Sequence, residues 1–158
     1  MKLCDIVVKD AIVTSLAATK RNDAIKELVG ALVDAGAAGS ADADTLVKKV
    51  LDREKRGSTG FGRGVAVPHV KHGDADGIRA AVGLSSAGVD FDALDKQPVY
   101  TIFLLLSPSG RPEDHLQAME IVFKNLSQDR FRSFLRQAET AEDVWTLLDE
   151  ADNNLLGG

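Results

Sequence analysis

The residues of this sequence best suited to chemistry lie in one short segment between Gly57 and His69. It reads Gly-Ser-Thr-Gly-Phe-Gly-Arg-Gly-Val-Ala-Val-Pro-His, so four glycines fall within eight positions before an apolar run ends in a proline and a histidine. Glycine permits positive φ and lets the backbone approach another group closely. Histidine is the side chain here that changes charge near neutral pH. The pattern indicates a donor-rich loop that handles an anion beside a nucleophile.

The loop matches neither of two well-known phosphate-binding motifs. No Gly-Lys-Ser/Thr follows at the spacing of a P-loop, and the segment leads into a strand instead of the helix of a dinucleotide fold. Adjacent hydroxyls and backbone amides can still cradle an oxyanion. We therefore predict a phosphate pocket, with a plain glycine-rich turn as the alternative. The predicted pocket residues are Ser58, Thr59, Gly60, Gly62 and Gly64.

His69 is the predicted nucleophile. Pro68 has a fixed φ and keeps Val67 extended, so the histidine leaves the strand in a defined direction. A neutral imidazole nitrogen can attack phosphorus, and covalent catalysis splits one difficult transfer into two easier ones. The alternative is a histidine that takes part in no chemistry.

Three further residues are candidates for contacts to a phosphoryl group. His115 lies in the first turn of a predicted helix, just past the end of a predicted buried strand, where open α/β sheets bind ligands. Arg53 and Arg56 end another predicted helix immediately before the glycine-rich loop, and a guanidinium can hold phosphoryl oxygens through its planar fork. The alternatives are an exposed histidine at a helix start and a solvated charged turn.

His72 offers a metal-binding interpretation. Together with His69 and His115, it could hold a zinc ion through three histidine ligands, and Asp74 and Asp76 lie nearby in the sequence. Residues of odd separation in an extended chain face opposite ways, however, so a His-x-x-His pair is poorly spaced there. We predict a loop position for His72 and no metal site.

Composition describes an ordinary globular domain. The 158 residues are 44% hydrophobic and 27% charged, with a net charge of −5 and one cysteine, Cys4. The acidic balance argues against nucleic acid as a partner, and a single cysteine excludes an internal disulfide. The longest apolar run is too short to span a bilayer, and the N-terminus lacks a signal-peptide core. We predict one cytoplasmic domain over residues 1–152, not embedded in a membrane, followed by a flexible tail over residues 153–158.

Helical periodicity and strand-like runs alternate along the chain. One predicted helix carries Ile25, Leu28, Val29 and Leu32, with Asn22 as its cap and Gly36 as its stop, and a second carries Leu46, Val47, Val50 and Leu51. Strands are predicted at residues 65–67, 78–84 and 99–106, with a turn at residues 85–88. The last strand is apolar on both faces and should be central.

Three helices are predicted after the buried strand. The first begins at Pro112 and has Leu116, Met119, Phe123 and Leu126 on one face. The second carries Phe131, Phe134 and Leu135, and the third opens with a capping box from Thr140 to Asp143. The order of elements predicts a single α/β domain with helices on both faces of the sheet.

The segment from Gly57 to His69 resembles the active-site signature of enzyme IIA domains of the fructose–mannitol class. These domains belong to the phosphoenolpyruvate-dependent sugar phosphotransferase system, and the class includes nitrogen-regulatory IIA proteins. The likeness extends over nearly the whole chain. Its other elements are the Leu-x-Asp-Ile opening at residues 3–6, the Arg53-Glu54 pair, the stretch of residues 91–99, and the Leu-Leu-Leu-Ser-Pro run at 104–108 that leads to His115-Leu116.

This resemblance implies a mixed sheet of about five strands and a role in phosphoryl transfer without a cofactor. It implies that His69 accepts a phosphoryl group, through Nε2, from the phosphocarrier HPr or a paralogue. His115 would lie beside the phosphate, Arg53 would stabilise transferred charge, and the loop around Ser58 and Thr59 would shape the pocket. The phosphoryl group would pass to a IIB domain or serve as a signal. No IIB or IIC domain is fused to the sequence, which favours a regulatory role.

Two other functions stay open at this stage. One is an interaction module of the same fold that is never phosphorylated, and the other is a metal-dependent hydrolase using the three histidines. The sequence also departs from the family pattern at two positions. Val70 stands where glycine is common after the histidine, and Arg63 stands where asparagine is usual, which adds positive charge near the predicted site.

Overall fold

A computed structural model describes residues 1–73, 75 and 77–156 of the chain. The described residues form one α/β domain in which a mixed five-stranded sheet is flanked by helices. The strands are β1 (Val7–Val13), β2 (Val65–Ala66), β3 (His69–Lys71), β4 (Arg79–Val89) and β5 (Val99–Ser107). The helices are α1 (Leu3–Ile6), α2 (Arg21–Asp34), α3 (Ala43–Glu54), α4 (Pro112–Leu126), α5 (Asp129–Gln137) and α6 (Ala141–Asp152). The predicted fold class is confirmed.

Strand β5 is central, as its apolar sequence predicts. The strand order is β1-β4-β5-β2, and β3 also pairs with β5. The β4–β5 pair is antiparallel, whereas β1–β4, β2–β5 and β3–β5 are parallel. The short strands β2 and β3 therefore follow one another along the edge of the sheet beside β5.

Each face of the sheet has its own hydrophobic core. Phe103 and Leu105 of β5 belong to the core that also contains side chains of α1, α4, α5 and α6. Ile102, Leu104 and Leu106 belong to the opposite core, which is covered by α2 and α3. This alternation is the period of two expected of a strand buried on both faces.

The sequence predicts some helix ends correctly and one incorrectly. Gly36, with φ +72°, follows the end of α2, and Pro112 opens α4. The capping box at Thr140 is present, because its hydroxyl accepts from the backbone N–H of Asp143. Asn22 is not the cap of α2, which begins at Arg21 after Lys20. The predicted cap is therefore wrong, since the helix starts before it.

Several predicted elements differ from the structure. Helix α1 and strand β1 were not predicted, and β4 continues through residues 85–88, where a turn was expected. The pairing of β1 with β4 is irregular between Val7 and Ile12. This irregularity disrupts the alternation of apolar and polar side chains that would reveal a strand in the sequence. On α4 the buried residues are His115, Ala118, Val122 and Leu126. Leu116, predicted on the apolar face, is 62% exposed.

The two ends of the described chain meet. Asp152, the last residue of α6, accepts hydrogen bonds from the backbone N–H groups of Leu3 (2.7 Å) and Cys4 (2.9 Å). Residues 153–156 form turns after α6, in which Leu156 is buried in the core on the α4 side while residues 153–155 are exposed. Residues 157–158 of the predicted tail lie outside the described residues. Within the part of the chain that is described, no helix has the length and apolar character needed to cross a membrane.

Candidate active site

His69 lies at the edge of the sheet, at a break between two strands. Strand β2 ends at Ala66 and β3 begins at His69, with Val67 and Pro68 between them. Val67 belongs to the core on the α4 side and Val70 to the core on the α3 side. By strand alternation, the imidazole of His69 faces the α4 side.

A backbone carbonyl fixes the tautomer of His69. Its Nδ1 lies 3.1 Å from the carbonyl oxygen of Val67, and because a carbonyl can only accept, Nδ1 carries the proton. Burial lowers the pKa of His69, and the positive charges of Arg53 and Lys71 add to this, while the Val67 hydrogen bond and Glu54 oppose it. The ring is thus neutral at pH 7, with the lone pair on Nε2.

His115 lies beside His69. The ring centroids are 5.4 Å apart and the rings are tilted by 54°. Nδ1 of His115 is 2.6 Å from the hydroxyl of Ser107, the last residue of β5, and His115 is only 6% exposed. Burial, followed by the neighbouring His69 and Lys71, lowers the pKa of His115 to about 4. Both histidines are therefore neutral at pH 7.

The two rings open onto a positively charged cleft of about 460 Å³, called here the His69 cleft. Four of its lining residues are lysine or arginine, against one aspartate. Its lining consists of Lys49, Asp52, Arg53, Arg56, His69, Val70, Lys71 and His115. In a chain of net charge −5, this concentration of cations favours an anionic ligand.

Arg53 lies where α3 meets the glycine-rich loop. It is in the last turn of the helix, and its Nη1 donates to the carbonyl oxygen of Gly57 at 2.9 Å. This contact holds the side chain at the rim of the cleft, beside His69. The structure thus brings together the three predicted catalytic residues: His69, His115 and Arg53.

The predicted pocket residues of the loop lie elsewhere. Thr59 is buried, and both its backbone N–H and its hydroxyl donate to the carboxylate of Glu54. Ser58 accepts from the backbone N–H of Gly60 at 3.0 Å, and Gly60 packs against Ala93. Gly62 and Gly64 have positive φ and lie against Asp95 and Tyr100, respectively. Among the described residues, these five are not part of the lining of the His69 cleft.

Sequence reasoning missed four residues of the site. Lys49 precedes Arg53 by one helical turn on α3, and Lys71 follows His69 by two positions on β3, so both spacings were visible in the sequence. Glu54 and Ser107 act through hydrogen bonds to Thr59 and His115. Those bonds depend on tertiary contacts that no local pattern predicts.

Val70 and His72 have structural explanations. Val70 is buried in the core covered by α2 and α3, so an apolar side chain after His69 fills space there. Nδ1 of His72 accepts from the ammonium of Lys49 at 2.9 Å. Asp74 and Asp76 lie outside the described residues. Among the residues described, no group of three or more His, Cys, Asp or Glu side chains is placed to hold a metal ion.

Comparison with known families identifies one match that covers most of the chain. Residues 5–151 match the model of the phosphoenolpyruvate-dependent sugar phosphotransferase system, EIIA 2. The nitrogen regulatory protein of Pseudomonas aeruginosa is 39% identical over 112 residues, which cover 71% of this chain and 73% of that protein. The fructose-specific EIIA component of Haloferax volcanii is 35% identical over 133 residues, or 84% of each chain.

A solved structure agrees with these matches. The nitrogen regulatory protein IIA-Ntr of Neisseria meningitidis superimposes with a TM-score of 0.83 at 29% identity, over 91% of this chain and 97% of that one. Not every relative has the same extent. The chain spans 24% of the fructose-specific EIIABC component of Bacillus subtilis, to which it is 29% identical. The domain thus occurs both as a nearly complete protein and as one part of a longer one.

Proposed function

The chain belongs to the EIIA 2 family of the phosphoenolpyruvate-dependent sugar phosphotransferase system, and from that premise we propose that it carries a phosphoryl group on Nε2 of His69. The observation that supports this role most directly is the hydrogen bond from Nδ1 of His69 to the Val67 carbonyl. It leaves the lone pair on Nε2, the nitrogen that must attack phosphorus. An HPr-type phosphocarrier supplies the phosphoryl group.

The transfer step exchanges one nitrogen–phosphorus bond for another. Nε2 of His69 attacks the phosphorus of the carrier's phosphohistidine, and the electron pair of the breaking bond returns to the carrier's imidazole. His69 keeps its Nδ1 proton, so its phosphorylated ring bears positive charge. The Val67 carbonyl, 3.1 Å away, stabilises that charge. No cofactor is needed, because positioned donors carry most of the catalysis of phosphoryl transfer.

His115 and Arg53 stabilise the transferred group. We assign the Ser107 hydroxyl as donor to Nδ1 of His115, across 2.6 Å, so that Nε2 of His115 carries a proton. That N–H then donates to a phosphoryl oxygen on His69, whose ring centroid is 5.4 Å away. The guanidinium of Arg53 balances the charge that spreads over the phosphoryl oxygens.

The phosphoryl group is then passed to a IIB domain or used as a signal to a regulatory target. The similarity to proteins named for nitrogen regulation supports the regulatory role, which we favour. The similarity to a fructose-specific EIIA component supports sugar transport as the second possibility. Both uses place the protein in the cytoplasm, where its phosphocarrier is found.

The experiment is phosphorylation by a reconstituted carrier chain. The protein is incubated with phosphoenolpyruvate, enzyme I and HPr, and intact mass spectrometry detects the adduct. We expect one acid-labile phosphoryl group per chain in the wild type and in His72→Gln, which changes a neighbouring histidine. We expect none in His69→Gln. An unmodified wild type with both a cognate and a heterologous carrier would support the non-phosphorylated interaction module instead, and modification of His69→Gln would place the acceptor elsewhere.

A further inference from the structure

A second positively charged cleft lies between the glycine-rich loop and α5. It shares none of its described lining with the His69 cleft. It has a volume of about 350 Å³. Its lining consists of Arg63, Arg132, Ser133, Arg136 and Gln137, and we call it the arginine cleft. Every one of these side chains can donate hydrogen bonds, and three are guanidinium groups. The family role of the chain accounts for none of them.

Two of the three guanidinium groups are held in place by packing. Arg132 has a side chain only 13% exposed, and its Nη1 donates to the carbonyl oxygen of Leu126 at 2.6 Å. Its Nη2 pairs with Asp129. Arg136 lies over the ring of Tyr100, with its guanidinium carbon 3.8 Å from the ring centroid. These contacts leave less side-chain entropy to be lost when a ligand binds.

Arg63 reaches the cleft from an unusual backbone conformation. Its φ is +60°, a left-handed value that side chains other than glycine adopt only with strain. Its backbone N–H donates to Asp95 (3.3 Å), and its Nη1 donates to the carbonyl oxygen of Ser127 (3.4 Å). The loop thus holds an arginine against the turn between α4 and α5, although glycine would relieve the strain. Strain kept in this way is typical of functional positions.

The arginine cleft has more positive charge than its surroundings neutralise. The cleft's described lining holds three cations and no carboxylate. Beside it, Asp129 pairs with Arg132, and Asp95 accepts from the backbone N–H of Arg63. An anion lying among the three guanidinium groups reduces the repulsion between their like charges. A planar guanidinium matches phosphate oxygens in a bidentate arrangement. The volume is that of a small-molecule pocket rather than of an extended protein interface.

We propose that the arginine cleft binds a small molecule with a diphosphate group or two phosphate groups. Arg63, Arg132 and Arg136 contact the phosphate oxygens, and Ser133 and Gln137 contact the remainder of the ligand. The site lies apart from His69 and does not depend on phosphorylation there.

Inorganic pyrophosphate is the probe. The ¹⁵N-labelled full chain is titrated at low salt, and the amide signals of Ser133 and Gln137 are followed. Because an anion also has reason to bind the His69 cleft, the titration is repeated in Arg53→Gln, and the signals of the arginine cleft should still shift. Parallel titrations with a nucleoside diphosphate and a sugar bisphosphate distinguish the sources of the phosphates, since the true ligand class binds more tightly than pyrophosphate.

Two variants and one control test the cleft itself. Arg63→Asn keeps a residue that tolerates positive φ, and Arg136→Gln changes an exposed side chain, so either variant can serve if the other fails to fold. Each should weaken pyrophosphate binding about tenfold, the value of one charge-assisted hydrogen bond. Lys26→Gln, which changes an exposed lysine outside the described lining of both clefts, should leave this affinity unchanged.

Three results would overturn the proposal. The first is that pyrophosphate shifts only the amide signals of residues around the His69 cleft. The second is that Arg63→Asn and Arg136→Gln both bind pyrophosphate as tightly as the wild type. The third is that polyglutamate, used as a mimic of an acidic protein surface, shifts the signals of Ser133 and Gln137 while pyrophosphate does not bind.

Discussion

At the scale of single residues, the two histidines of the His69 cleft have different partners and therefore different roles. The partner of His69 is a carbonyl, which fixes the proton on Nδ1. The partner of His115 is a hydroxyl, which can donate or accept. A nucleophile needs a lone pair facing the phosphorus, whereas a stabilising group needs a proton there. The carbonyl serves the first need, and the hydroxyl can serve the second.

We expect Ser107→Ala to slow phosphorylation without abolishing it. The change removes the partner of Nδ1 of His115 in a fully buried position, which should cost about 1–3 kcal/mol of unfolding free energy. The proton of His115 is then free to occupy either nitrogen, so the rate of phosphorylation of His69 should fall about tenfold. Urea unfolding and time-resolved intact mass measure the two effects. In a His115→Gln background, Ser107→Ala should no longer affect the rate, and an undiminished effect there would contradict the assignment.

The pH dependence of stability should report on His115. Its pKa is about 4 in the folded protein against 6.5 for the unfolded reference. Between these values the unfolded chain binds a proton that the folded chain does not, so stability is lost as pH falls from about 6.5 to about 4. We expect this group to account for on the order of 2 kcal/mol over that window, less than the full shift implies because the site opens to solvent. Urea unfolding at several pH values should show a weaker acid loss in His115→Gln than in the wild type, and equal losses would contradict the assignment.

At the scale of elements, the end of α3 and the glycine-rich loop act together on His69. Glu54, the last residue of α3, is 3% exposed and accepts from the backbone N–H and the hydroxyl of Thr59. The carbonyl of Thr59 accepts from the N–H of Val67 at 3.2 Å, and the carbonyl of Val67 accepts from His69. Thr59 therefore positions the strand that carries the nucleophile, although it does not line the cleft.

Thr59→Val should loosen this connection while keeping the shape of the side chain. It leaves one oxygen of the buried Glu54 carboxylate without its hydroxyl donor, which should lower the free energy of unfolding by about 1–3 kcal/mol. The rate of phosphorylation of His69 should fall with it, because the Val67 carbonyl is less well held. Thr45→Val is the matched control, since the hydroxyl of Thr45 donates to exposed Asp42, and it should cost less than about 1 kcal/mol. Equal costs for the two variants, measured by urea unfolding, would contradict this role of Thr59.

Much of this architecture follows from local pattern, and what does not has physical reasons. Pro112 and the apolar β5 run predict where α4 begins, and hence where His115 lies. Strand β1 escapes prediction because its pairing with β4 is irregular between Val7 and Ile12. The phosphate-pocket residues were assigned from their capacity to bind anions, but Glu54 already occupies the donors of Thr59. Which donors stay available depends on contacts made only in the folded chain.

At the scale of the whole molecule, the sheet separates two cores, and the His69 cleft lies at the edge where they meet. Helix α3 covers one face and contributes Lys49 and Arg53 to the cleft, while α4 covers the other face and contributes His115. Arg56 follows just after the end of α3. Stability of the cleft therefore depends on both cores. Charge is also unevenly distributed, because the chain is acidic overall while the described lining of this cleft holds four cations against one aspartate.

This charge distribution should govern how fast the phosphorylated carrier is used. Lys71 and Arg56 are exposed in the cleft and attract the anionic phosphoryl group before contact, so replacing both with glutamine should lower kcat/KM for phosphorylation about tenfold at low salt. At about 0.5 M salt, screening should bring the wild type and the variant close together, because the Debye length then falls to a few ångströms. The matched control replaces Lys26 and Lys124, two exposed lysines outside the described lining of the cleft, and should change the rate little under either condition. If the two double variants lose rate equally, net charge and not its placement controls the encounter. If the loss in the cleft variant persists at high salt, these side chains act on the bound phosphoryl group itself.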